Sequence, residues 1–172
     1  KLHGQVSVFL EPIALYMTKD LHEDKDGLWS FEHPPYNHSV PVGRARTMVE
    51  GSDLTIISYG NGLWMSLRVA KRLAGRGIST RVLDIRWLNP LPVEDMVSAA
   101  QQTGKVLVVD ECRETGGMGE SILAALVEGC PTVQMKRISA RDSYIPLGAA
   151  ANLVLIQEDD IEAAALELLE SL

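Results

Sequence analysis

Two carboxylates stand where a strand of an α/β protein could present them for acid–base chemistry. Asp110 and Glu111 directly follow the apolar run 106–109, which predicts a buried strand. Ligand sites in α/β folds usually lie at the carboxyl ends of strands, where paired carboxylates can move a proton. The alternative is structural, because such residues also cap the next helix or pair with an arginine such as Arg113. Both interpretations stay open.

A glycine-rich turn follows, with the sequence T-G-G-x-G-E over residues 115–120 and glycines at Gly116, Gly117 and Gly119. It opens an amphipathic helix at Ser121, and a helix N-terminus offers unpaired N–H groups to an anion. The spacing matches neither the dinucleotide motif nor the P-loop. The second interpretation is that these glycines allow positive φ and close backbone packing, since the carboxylates around the turn would repel a phosphate.

A third candidate follows the last predicted strand. Arg141 and Asp142 could bind a substrate carboxylate or a partner. The structural alternative is an Asx-type turn at Asp142 followed by a loop that Pro146 fixes.

Composition limits the possible functions. The chain has 172 residues, 46% of them hydrophobic, and a net charge of -7, so it can build a core but lacks the basic surface that nucleic acids require. No apolar run approaches the roughly 18 to 20 residues that span a bilayer, so no membrane partner is expected. Cys112, Cys130 and the four histidines lack the spacing of metal ligands, so no metal site is expected. The cysteine content predicts a reducing, intracellular compartment.

Alternating strand and helix patterns predict a doubly wound, mostly parallel sheet. Strands are predicted at 44–50, 54–59, 79–85, 105–110 and 132–138, with helices beginning at 60, 94, 121 and 159. The first two strands are predicted to be neighbours joined by the turn 51–53. Asp159 or Asp160 is the predicted N-cap of the last helix.

The N-terminal part of the chain has a different character. Residues 5–10 predict one strand, which needs neighbours to pair its backbone, so we infer a piece of a longer polypeptide. The charged run 19–26 is interpreted as a solvated linker. Trp29, Phe31 and Trp87 lie outside the predicted core stripes and favour self-association. The predicted organisation is a domain tail over 1–16, a linker over 17–41 and a second domain over 42–172.

Five segments, in order, resemble the beta subunit of thiamine diphosphate-dependent 2-oxoacid dehydrogenases, the decarboxylating component of the pyruvate and branched-chain complexes. They are F-L-E-P at 9–12 with L-Y at 15–16, E-G-S-D-L-T at 50–55, V-L-D-I-R at 82–86 before N-P-L, T-G-G-M-G at 115–119, and the loop 138–146. The chain departs from the family at 110–112, where Asp-Glu-Cys replaces the usual His-Glu-Ala, and at Arg141, where proline is frequent.

The resemblance implies a three-layer α/β/α domain of the transketolase C-terminal type, whose five-stranded, mostly parallel sheet has one antiparallel strand. It also implies that residues 1–16 end a pyrimidine-binding domain. Thiamine diphosphate and Mg²⁺ would be bound in the parent enzyme by segments outside this chain, so this chain is assigned no bound cofactor and no catalytic residue. The implied partners are the alpha subunit or region, a second beta copy in a homo-oligomer, and the dihydrolipoyl acyltransferase core.

Two alternatives stay open. Transketolase and deoxyxylulose phosphate synthase are wider relatives that share the implied fold. A stand-alone module that binds an anion at the glycine turn, or that serves assembly, would belong to a different class of function.

Overall fold

The computed structural model describes residue 4 and residues 6–171, and in this part of the chain helices cover both faces of a five-stranded sheet. The strands are β1 (Arg46–Val49), β2 (Leu54–Ser58), β3 (Thr80–Asp84), β4 (Lys105–Arg113) and β5 (Gln134–Ala140). The helices are α1 (Gly60–Ala74), α2 (Val93–Thr103), α3 (Met118–Gly129) and α4 (Glu158–Glu170). Short 3₁₀ turns occupy Ile13–Leu15 and Gly148–Leu153. The predicted three-layer α/β/α fold is confirmed.

The strand order is β1-β3-β2-β4-β5, and only β1 runs antiparallel to its neighbour among these strands. The prediction that the first two strands are neighbours is wrong, because β3 lies between them. The connection pairs with the start of β3 instead of closing a hairpin: the N–H groups of Ser52 and Asp53 both donate to the Ser79 carbonyl, at 3.1 and 2.8 Å. Gly51 lies so close to this backbone that a Cβ would stand 2.3 Å from the Thr80 carbonyl carbon.

The central strands are buried on both faces, so each contributes to two cores. In β2, Ile56 packs with α1 and α4, whereas Ile57 packs with α2 and α3. This follows from the alternation of side chains along a strand. Ion pairs such as Arg68–Glu158, at 2.6 Å, join α1 to α4 at the rim. No helix within the described residues is long and apolar enough to cross a membrane.

Two predicted details at the ends of the chain are wrong. Residues 6–10 form no strand, and Gln5 lies outside the described residues. The side chains of Val8 and Phe9 are more than four-fifths exposed, because no strand within the described residues lies beside them. At the other end, Gln157 precedes the first turn of α4, and Asp160 lies inside the helix, where its carboxylate accepts the Gln157 N–H at 2.8 Å.

The charged run 19–26 forms an ordered loop in which Leu21 is buried and the other side chains are exposed or partly exposed. The Asp26 carboxylate accepts four backbone N–H groups at 2.7 to 2.9 Å, from residues 21, 22, 23 and 28. Leu21 is buried against α1, and its carbonyl accepts a hydrogen bond from Arg68 at 2.5 Å. Trp29 packs on the same cluster. Burial opposes ionisation of Asp26, but the four N–H donors prevail and hold the pKa of this carboxyl well below its usual value.

We predict that Asp26→Asn loosens this loop, because the amide NH₂ group would face backbone N–H donors. In the wild type the lowered pKa means that the stabilisation is complete above the ordinary value of 3.8 and is lost as pH falls below it. NMR protection of the amides at 21–23 and 28 should therefore fall below about pH 4. In Asp26→Asn it should be low at every pH. Asp24→Asn, an exposed change in the same run, is the control and should match the wild type.

Candidate functional site

A buried carboxylate organises the carboxyl edge of the sheet. Asp110 in β4 is fully buried, and its Oδ1 accepts the Tyr59 hydroxyl at 2.7 Å and the Cys112 N–H at 3.0 Å. Its Oδ2 accepts the N–H of Gly119, in the first turn of α3, at 2.6 Å. Burial, together with the neighbouring Asp110 carboxylate, raises the pKa of Tyr59, so this phenol stays a donor. Asp110 thus joins β4, the residue that follows β2, and α3.

The glycine turn is shaped around this carboxylate. A Cβ on Gly117 would lie 2.8 Å from Asp110 Oδ2 and 2.8 Å from the Arg113 carbonyl oxygen. A Cβ on Gly119 would lie 3.1 Å from the same Oδ2. Gly116 has a φ of +73°, the left-handed region that favours glycine. The geometry favours the packing interpretation, because Asp110 already occupies the position that an anion would take at the N-terminus of α3.

The loop after β5 is fastened to this turn. The Asp142 carboxylate accepts the Thr115 N–H at 2.8 Å and the Thr115 hydroxyl at 2.5 Å. These hydrogen bonds lower the pKa of Asp142. Arg141, the other residue that the sequence singled out here, is exposed, and its backbone N–H donates to the Val154 carbonyl at 3.2 Å. The Asp142 side chain therefore joins two loops.

Glu111 points to a different place from Asp110. It borders a cavity of about 350 Å³ between the turn 13–15, the start of α1 and the start of α4. Burial raises the pKa of Glu111, and a hydrogen bond from Asn61 opposes the rise. Asn61 Oδ1 is buried without a hydrogen-bond partner among the described residues. The two neighbouring carboxylates thus point to different surroundings, although the Asp110 charge adds to the rise in the Glu111 pKa.

Sequence reasoning missed Tyr59 and Asn61, which follow β2 at this edge. The available signal was topological: β2 and β4 are parallel neighbours, so the residues that follow them lie side by side. No group of three or more His, Cys, Asp or Glu side chains within residues 6–171 is arranged to hold a metal ion. The diphosphate of a cofactor does not fit at α3 either, because Asp110 holds that helix N-terminus.

The open α/β sheet with one antiparallel edge strand defines the fold class of this chain. The sequence profile of the family described as "Transketolase, C-terminal domain" matches residues 43–161. The chain belongs to this family.

The similarity to individual relatives extends beyond residues 43–161. The pyruvate dehydrogenase E1 component subunit beta of Staphylococcus aureus is 30% identical over 166 residues, which cover 95% of this chain and 48% of the relative. The same subunit of Staphylococcus epidermidis matches to the same extent. The resemblance to the dehydrogenase beta subunit is therefore confirmed. The chain spans about half the length of these relatives.

Solved structures agree with this assignment. A split-gene transketolase, described as an inactive beta4 tetramer, has a TM-score of 0.70 and 28% identity, covering 80% of this chain and 45% of that one. A 2-oxoglutarate:ferredoxin oxidoreductase from Magnetococcus marinus has a TM-score of 0.52 at 18% identity, covering 74% and 19%, and shows the fold alone. The predicted transketolase-type sheet is confirmed.

We predict that Asp110→Asn destabilises the domain by about 1–3 kcal/mol, because its NH₂ group would oppose a buried donor. Tyr59→Phe removes one donor and should cost less, about 1 kcal/mol. Urea unfolding monitored by circular dichroism measures both changes. An Asp110→Asn protein as stable as the wild type would contradict the structural role of this carboxylate.

Gly117→Ala should also destabilise the domain, by about 1–3 kcal/mol, because the added methyl group meets a backbone carbonyl that cannot rotate away. Thermal unfolding provides the measurement. The matched control is Ser121→Ala, an exposed change further along α3, which should stay within about 0.5 kcal/mol of the wild type. Equal stability of the two variants would show that the turn tolerates a side chain.

Proposed function

We propose that this chain is the C-terminal domain of a 2-oxoacid dehydrogenase beta region and serves subunit assembly and docking of the acyltransferase core. The parent would decarboxylate a 2-oxoacid oxidatively and pass the acyl group to lipoamide. The observation that carries the proposal is the 30% identity to pyruvate dehydrogenase E1 beta subunits over 95% of the chain. That similarity includes the N-terminal segment, beyond the family match at 43–161.

Within this proposal the chemistry lies in other parts of the parent. Thiamine diphosphate with Mg²⁺ would supply the decarboxylation chemistry there, and residues of this chain take no step in it. The geometry supports this division, since Asp110 fills the helix terminus at the carboxyl edge and Glu111 stands apart from it. We therefore propose that the 172-residue chain is inactive alone.

The arm that precedes the domain supports the proposed organisation. Residues 6–17 lie outside the sheet, and several of their apolar side chains are exposed, among them Val6, Phe9 and Met17. Such residues are stabilised when another surface covers them. We propose that residues 1–16 complete a preceding pyrimidine-binding domain, that 17–41 connect the domains through the ordered loop at Asp26, and that 42–172 form the assembly domain.

Self-association belongs to the same proposal. The similar split-gene transketolase is described as a beta4 tetramer, an assembly of copies of one chain. By analogy, we propose that this chain associates with a second copy of itself and, in the parent, with an alpha subunit or region. The proposed compartment is the cytoplasm, or the mitochondrial matrix in a eukaryote.

Transketolase remains the second candidate, because the 28% identical solved structure is a split-gene transketolase. Deoxyxylulose phosphate synthase is kept with it as a wider relative of the same fold. The stand-alone anion-binding module is the weakest candidate, since the Gly119 N–H that would bind the anion donates to Asp110.

Enzyme assays of the full-length parent, with its alpha partner, test the proposal. With thiamine diphosphate and Mg²⁺ present, we expect turnover of a 2-oxoacid such as pyruvate or a branched-chain analogue, and none of xylulose 5-phosphate. The isolated 172-residue chain is the control and should show no decarboxylation. Turnover of sugar phosphates alone would establish the transketolase alternative, and activity of the isolated chain would overturn the division of labour.

A further inference from the structure

The cavity of about 350 Å³ that Glu111 borders has the size and the walls of a small-molecule site. Such sites have volumes of about 300–1,000 Å³ and are lined mainly by apolar side chains. The apolar part of this wall comes from Leu15, Met65, Leu155 and Ile156. No lysine, arginine or histidine of the described residues lines it. The cavity can therefore hold an apolar body but supplies no positive charge of its own.

Glu111 brings a carboxylate without a cationic partner to this wall. Its side chain is in none of the ion pairs formed within the described residues. Burial raises the pKa of Glu111, a hydrogen bond from Asn61 opposes the rise, and the charge of Asp110 adds to it. A partly buried carboxylate is stabilised by a nearby cation, because leaving water destabilises its charge. The surroundings of Glu111 are instead negative.

Arg68 lies beside the cavity, but its donors are engaged elsewhere. Its guanidinium packs over the ring of Trp64, which lines the cavity, at 4.7 Å from the ring centroid. It donates to the Glu158 carboxylate at 2.6 Å and to the Leu21 carbonyl at 2.5 Å. These contacts hold Arg68 between α1, α4 and the ordered loop 19–26, so it does not serve Glu111.

Asn61 adds a second acceptor at the same wall. Its amide NH₂ group donates to Glu111, which leaves its oxygen for another donor. Asn61 Oδ1 is buried and accepts no hydrogen bond from the described residues. Unsatisfied buried acceptors are rare in folded proteins because they are unfavourable. The terminal torsion of an asparagine is soft, so a turn of this amide brings the oxygen to a donor bound at Glu111.

We propose that this cavity binds an alkylammonium group, with the ammonium at Glu111 and the alkyl chain against the apolar wall. An ammonium carries three donors on one atom, so it can serve Glu111 and Asn61 Oδ1 together. The carboxylate repels an anion, and a wholly apolar molecule leaves both acceptors unsatisfied. The group belongs to a free amine or to a lysine side chain from another part of the proposed parent. The site itself rests on this chain alone.

NMR titration of the ¹⁵N-labelled 172-residue chain with n-hexylammonium, at about pH 8 where the probe is charged, tests this site. The amide shifts should concentrate in the segments that form the cavity, 13–18, 61–65 and 152–157. Glu111→Gln keeps the shape of the side chain but removes its charge, and should raise the Kd at least about 10-fold. The matched control is Glu114→Gln, an exposed change outside the cavity, which should bind like the wild type.

A second comparison needs no variant. The uncharged probe 1-hexanol has the same chain length, and it should bind at least about 10-fold more weakly than n-hexylammonium because it lacks the charge. Equal binding of the two probes, or equal affinity of Glu111→Gln and the wild type, would overturn the ammonium site. Shifts that spread over the surface without saturation would show only general attraction of a cation to a chain of net charge -7, and would overturn it as well.

The same titration of the full-length parent separates the two sources of the ammonium group. Binding of n-hexylammonium by both the parent and the 172-residue chain supports a free amine as the ligand. Binding by the 172-residue chain alone supports a lysine of the parent that already occupies the cavity. Binding by neither overturns the site, whatever 2-oxoacid or sugar phosphate the parent turns over.

Discussion

The burial of the Asp110 carboxylate is the interaction on which the carboxyl edge depends. A buried charge is unfavourable unless donors satisfy it, and here a phenol and two backbone N–H groups do so. One of these N–H groups lies in the first turn of α3, whose dipole favours a negative charge. The carboxylate therefore fixes α3 against β4, and Gly117 and Gly119 are required because side chains there would meet it. In the same turn, the N–H of Thr115 donates a hydrogen bond to the Asp142 carboxylate of the next loop.

This arrangement changes what the edge can do. In open α/β sheets the carboxyl edge is the usual ligand site, because strand ends and helix N-termini converge there. The N-terminus of α3 has its ligand built in, so an external anion would have to displace Asp110. Glu111 faces a cavity beside the arm, whereas Asp110 points to the first turn of α3. The assembly role proposed above does not depend on either of these carboxylates.

The strands and helices could be predicted from sequence because their hydrophobic patterns are local. The apolar run 106–109 indicates a buried strand, and the apolar stripes of the helices indicate which helix face is buried. The position of β1 could not be predicted in this way. It depends on the contact of residues 51–53 with the start of β3 near Thr80, and the hydrophobic periodicity of the sequence carries no information about that contact. The loop at Asp26 was missed because charge indicates solvent in sequence statistics, whereas this carboxylate satisfies four N–H groups. The candidate glycines were found, but deciding between packing and anion binding needed the coordinates of Asp110.

The distribution of exposed apolar residues connects the fold to the proposed assembly. The two cores are complete, and helix faces expose few large apolar side chains, such as Val93 and Val127. The others lie on the arm 6–17, in residues 28–49 and on the loop 143–154, mostly outside the regular elements. A poorly packed domain would expose such residues throughout its helices and strands. Their position mostly in the connecting segments, beside a packed core, is the distribution expected of a domain that contacts other protein surfaces in the proposed parent.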